Sequence, residues 1–201
     1  MPFDFNQAQP LAEAINTISG KTPVGATLKS AEWAQMPAQL RESSMFAARV
    51  ESVRAMQTVK DSLLSILKGD RDPVTGALKM DRSKFIETIQ KTANQLGLRT
   101  QEQGKKGSIE DFGSERRLKL IYEQQIGAAQ ARAYWLQGMD PDVLDGWPAH
   151  ELVRVADRKK KRDWKRRWLE AAQAVNMQGV SASAMAAGRM LALKTSPIWV
   201  K

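Results

Sequence analysis

Cysteine is absent from this sequence and histidine occurs once, at His150. Without thiols there is no disulfide framework, no zinc–thiolate site and no cysteine nucleophile, a usage that fits a reducing compartment. One imidazole leaves little for a metal centre or a Ser–His relay. No stretch approaches the roughly 18 apolar residues of a membrane span. The first residues, MPFDFNQAQP, lack the basic-then-apolar order of a secretory signal. The chain therefore reads as soluble, unexported and without membrane contact. The phosphate-loop, dinucleotide, zincin and nucleophile-elbow patterns are missing as well. No catalytic residue, cofactor or metal is expected.

What the chain does have is positive charge, +9 over 201 residues, distributed unevenly. Residues 1–113 and 114–156 are close to balanced, whereas 157–201 hold eleven Lys or Arg against three Asp or Glu. The excess peaks in ADRKKKRDWKRRW, residues 156–168, where Asp163 and Trp164 separate two clusters. These are Arg158, Lys159, Lys160, Lys161 and Arg162, and then Lys165, Arg166 and Arg167. On a helix beginning near Asp163, Trp164 and Trp168 share one face with Ala171 and Ala172, so both tryptophans read as structural anchors. The cations then form either a solvated face or a surface that attracts phosphate. No helix-turn-helix, zinc-finger or RNA-recognition spacing accompanies them, so any such contact would be to the backbone of a polyanion and tolerant of sequence.

Hydrophobic periodicity predicts a mainly α fold with a small C-terminal α+β region. Leu11, Ala14, Ile15 and Ile18 mark a short helix that Gly20 stops. From Pro37 to Lys68 the apolar residues, Phe46 and Val50 among them, keep a three-or-four step that predicts one long amphipathic helix. Asp81 is a good N-cap for DRSKFIETIQKTANQLG, which Gly97 closes. The polar, Gly-containing segment 99–113 reads as a flexible connector between a helical region, 1–98, and an α+β region, 114–201. A second long helix is expected from Ser114, with Leu118, Ile121 and Tyr122 on its inner face, ending near Gly138. After a short helix at Pro141–Leu144, a helix is expected over Arg162–Val175. Two short strands are expected near 151–156 and 189–194.

Two further features are open to chemical readings. The carboxylates Asp140, Asp142, Asp145 and Glu151 could carry metal-dependent cleavage, and Glu110 with Asp111 could form another acidic pair. DPDVLDG, however, is what a helix N-terminus and a turn look like. His150 reads as a loop histidine. The closing TSPIWVK is apolar, so this end is expected either to dock or to lead into further chain.

The order of several segments resembles the phage minor head proteins of the Mu F-like head morphogenesis family. Trp33 with Phe46 and Ala47 matches a Trp before an F-x-A helix. Arg117, Leu120, Ile121 and Tyr122 match a helix that leads into small residues. Asp163, Trp164, Arg167 and Trp168 match an Arg-Asp-Trp-x-x-Arg-Trp segment, and Pro197, Ile198 and Trp199 agree as well. The resemblance runs from about Ser30 to Lys201, and relatives usually continue with a Pro/Phe/Gly-rich segment, which implies a longer chain. It implies a non-enzymatic virion component, assembled in the host cytoplasm, with phage portal and capsid proteins and packaged DNA as partners and oligomers in the virion. Phe46 and Tyr122 are then structural anchors beside Trp164 and Trp168. The residues alone also admit a nucleic-acid-binding regulator.

Overall fold

A computed structural model of the chain describes residues 11–100, 102–153 and 163–200. They form a mainly α fold with two small sheets, divided into two compact units, Met1–Ala133 and Tyr134–Lys201. The division lies inside the longest helix and not at 99–113, where the sequence suggested a connector.

In the first unit, helix α1 (Ala12–Ser19) buries Ala14 and Ile18. The expected long helix over Pro37–Lys68 is interrupted. Short helices α2 (Ser30–Trp33) and α3 (Ala38–Ser43) precede strand β2 (Ser44–Met45), which pairs in parallel with β1 (Thr22–Pro23). The Ser44 hydroxyl donates to the Leu40 carbonyl at 2.6 Å, Arg49 takes a left-handed φ of 59°, and Ser52 caps a new helix through the Ala55 N–H. Three local devices thus break a helix that the apolar spacing alone would continue. That new helix, α4 (Val53–Lys68), ends at Gly69 in the left-handed conformation expected of a C-terminal glycine. Gly25 is required for a different reason. A Cβ there would lie 2.0 Å from the Glu51 carbonyl oxygen, where the loop after β1 runs against the loop before α4.

Helix α5 (Arg82–Gln95) starts as its sequence predicts, with the Asp81 carboxylate accepting from the Lys84 N–H at 2.8 Å. It packs on α4 and presents Phe85, Ile89 and Ala93 to the core. Helix α6 (Glu115–Gly138) adds Leu118, Ile121, Ile126, Ala129 and Ala133. Each fully buried Phe, Ile, Leu or Met in such a cluster contributes roughly 1.5–3 kcal/mol. The segment before α6 is a closed loop: the fully buried Asp111 carboxylate accepts from Arg99 Nε and Nη2, both at 2.9 Å, and from the Gly107 and Gly113 N–H groups. A buried charge of this kind is tolerable only with such a complete set of partners.

In the second unit, α7 (Pro141–Gly146) is capped by Asp140, and β3 (Ala149–Glu151) pairs antiparallel with β4 (Leu191–Leu193), placing His150 opposite Ala192. The first strand therefore lies upstream of the expected 151–156. Leu152 and Val153, which begin the expected strand, are both exposed and lie beyond β3, where the Leu152 N–H still bonds to Met190 O at 2.8 Å. Residues 154–156 of the expected strand fall outside the described residues. Helices α8 (Trp164–Ala174) and α9 (Ala182–Ala186) complete the unit with a 3-10 turn over Pro197–Val200. Its core holds Trp168, Ala172, Val175, Ala192 and Ile198. The apolar TSPIW stretch thus packs into its own unit: Ile198 is buried and the Trp199 indole N–H donates to Leu193 O at 2.7 Å.

Candidate functional site

Helix α8 is built to separate its two sides. Asp163 caps it by accepting from the Arg166 N–H at 3.0 Å. Trp168 and Ala172, four residues apart, turn into the core. Trp168 is 6% exposed and meets Trp199 with ring centroids 5.4 Å apart. Its indole N–H has no hydrogen-bond partner among the described residues. The remaining positions of the first turns are cationic and exposed: Lys165, Arg166 and Arg167.

The three cations are not equally available. Arg166 forms an ion pair with Glu170 one turn on, at 2.9 Å, which in solvent is worth no more than a few tenths of a kcal/mol. Arg167 lies over the Trp164 ring, 5.5 Å from its centroid, which fixes the guanidinium plane. Lys165 lies beside Gly188, where a side chain would crowd its ammonium. Trp164 is therefore not an anchor of the kind Trp168 is. It is half-exposed and serves as a platform for Arg167. Arg158, Lys159, Lys160, Lys161 and Arg162 lie outside the described residues.

The other anchors also divide. Tyr122 packs on the first core against Phe85 at 5.7 Å, with Arg82 over its outer face. Phe46 is half-buried and stacks on Trp33, centroids 4.1 Å apart and planes 11° from parallel, beside the core.

Of the acidic residues weighed for catalysis, Asp140, Glu151, Glu110 and Asp111 are engaged in structural contacts. Asp140 caps α7, and Glu151 accepts two bonds from Arg189, 2.9 and 2.6 Å, which holds its carboxyl below the ordinary range. Glu110 pairs with Arg49 at 3.2 Å. Among the described residues no group of three His, Asp or Glu is placed to hold a metal ion. His150 is a packed residue: it lies between Trp135 and Trp199, with centroids at 5.3 and 5.8 Å. Burial lowers its pKa, and the Lys194 charge lowers it further. Lys194 is itself buried and donates to Gly138 O at 2.9 Å. This Trp135–His150–Trp199–Trp168 cluster joins residues far apart in sequence, and only the apolar ending around Trp199 hinted at it.

No described helix is long and apolar enough to cross a membrane. Comparison of the chain with protein-family models, with curated proteins and with solved structures finds no match.

Proposed function

We propose that the chain is a non-enzymatic structural protein of phage heads, a minor head protein that works with portal and capsid proteins in head assembly and DNA packaging or delivery. In this reading its C-terminal cations meet DNA. The observation that carries the DNA contact is the division of α8, with Trp168 and Ala172 in the core and Lys165, Arg166 and Arg167 facing solvent. A rigid helix anchored by one buried indole holds the three charges without the entropy cost of a loose tail. The sequence adds Arg158–Arg162 immediately before it. The head-protein assignment draws on the sequence resemblance from Ser30 onward.

Such a surface recognises phosphate and not bases, so binding should be sequence-tolerant and steeply salt-dependent. The test is titration of the chain with unrelated duplexes over a range of salt. Replacing Lys165, Arg166 and Arg167 by Gln should weaken binding to every duplex and flatten the plot of log K against log salt by about one unit for each phosphate no longer neutralised. An unchanged slope would reduce the cations to a solvated face. A strong preference for one sequence would instead favour a nucleic-acid-binding regulator.

A further inference from the structure

A cleft in the first unit has no part in the function proposed above. Its volume is about 670 Å³, within the range of ligand sites, and four chain segments enclose it: Lys29–Trp33, Phe46–Arg49, Ile109–Glu110 and one side of α6 from Arg117 to Gln125. The stacked Trp33–Phe46 pair forms an aromatic wall, and Leu120 with Ile121 forms an aliphatic one.

The charges around this cleft are incompletely balanced. Arg117 is buried, and its guanidinium is held by two backbone carbonyls, Ala48 O and Glu110 O, with Phe112 against its face. Burial lowers its pKa and the nearby Arg49 charge lowers it further, against the opposing pull of Asp111 and Glu110. Arg49 and Arg117 thus repel, and the one carboxylate of the cleft lining, Glu110, lies on Arg49 and also 3.6 Å from Lys105. Asp111 is committed to Arg99. Lys29 adds a third cation at the rim. An incoming anion would relieve this repulsion. Arg49 also occupies a left-handed backbone conformation that a non-glycine residue adopts at a cost, and such positions cluster where a side chain is aimed at a ligand.

A second cleft of about 830 Å³ shares Ile109 and Leu120 with the first, so the concave surface is longer than a single small molecule needs. Its rim mixes Arg99, Arg116 and Lys119 with Glu115 and Glu123. Mixed signs suit a polypeptide and disfavour a polyphosphate backbone. We infer that the cleft between the Trp33–Phe46 stack and α6 binds an extended acidic peptide segment of a partner protein. A large apolar side chain of that segment enters against Phe46 and Leu120, and its neighbouring carboxylate meets Arg49.

The test is selection of the whole chain against a yeast-displayed library of random peptides, followed by titration of the enriched peptides. Enriched sequences should place Asp or Glu beside a large apolar residue. Arg49→Gly suits the left-handed backbone while removing the charge, and Gln124→Glu adds a repelling charge at an exposed position of α6 in the cleft lining. Each should weaken these peptides about tenfold, roughly the effect of one charged contact. Removing a cation elsewhere on α6, by Arg132→Ala, should leave binding within about twofold. No enrichment, enrichment of basic peptides, or binding indifferent to Arg49→Gly and Gln124→Glu would overturn the inference. So would displacement of the selected peptides by single-stranded oligothymidine at comparable concentration, which would make the cleft a nucleic-acid site.

Discussion

Asp111 has no solvent exposure, and its pKa is set by opposing forces. Burial acts to raise it, and the Arg99 guanidinium with the Gly107 and Gly113 N–H groups outweighs that effect, leaving it below the ordinary carboxylate range. A carboxyl with a lowered folded pKa contributes stability above its unfolded value of about 3.9 and loses that contribution as pH falls through the folded value. Asp111→Asn presents an amide to donors it cannot satisfy and should cost about 3 kcal/mol at neutral pH. Urea unfolding at several pH values should show the variant losing less stability than the native chain below about pH 4. His150 acts in a separate window. Its folded pKa is also lowered, so its neutral form contributes stability above the unfolded value of about 6.5, lost as pH falls below it. His150→Gln should remove the dependence just below that pH and leave the acid limb in place. Neither residue was legible in advance. Arg99 and Asp111 are twelve positions apart in a segment without periodicity, and His150 meets Trp199 through a fold that no local signal encodes.

Among the elements, those with local signals were legible. Asp81 caps α5 with a side chain only three residues from the N–H group it accepts from, so composition near the helix start sufficed. The break between α3 and α4 was not legible, because Phe46 and Val50 continue the helical step by coincidence while Ser44, Arg49 and Ser52 redirect the chain. That redirected stretch depends on close backbone approach. Gly25→Ala should destabilise the first unit by about 2 kcal/mol, since a methyl group there overlaps the Glu51 carbonyl and only backbone movement relieves it. In the second unit the two tryptophans of α8 separate cleanly. Trp168→Ala leaves a cavity in a small core and should cost about 3–5 kcal/mol. Trp164→Ala removes only a half-exposed platform and should cost less than about 1 kcal/mol, while releasing Arg167 from its fixed plane. Thermal unfolding of the two variants side by side checks the contrast. Equal losses would place Trp164 in the core as well.

At the scale of the whole molecule, composition and periodicity were enough for a mainly α chain with a small β element, because long helices announce themselves through repeated apolar faces. The boundary between units was not legible, since it falls at Ala133 within the uninterrupted helix α6. The two chemical surfaces differ in the same way. The cations of α8 are contiguous in sequence and were read from it, whereas the Trp33–Phe46–Arg49–Arg117 cleft is assembled from four separated segments. The first is the surface proposed to meet nucleic acid, and the second the one proposed to meet a protein partner. We propose that the chain works within an assembled phage head and not as a free DNA-binding protein. Co-sedimentation of the tagged chain with purified phage heads, before and after nuclease and high salt, tests that proposal. Retention through both treatments is expected, with the Lys165, Arg166 and Arg167 replacements reducing only whatever fraction nuclease releases. Binding to naked DNA that disappears at high salt, with no association with heads under any condition, would contradict it.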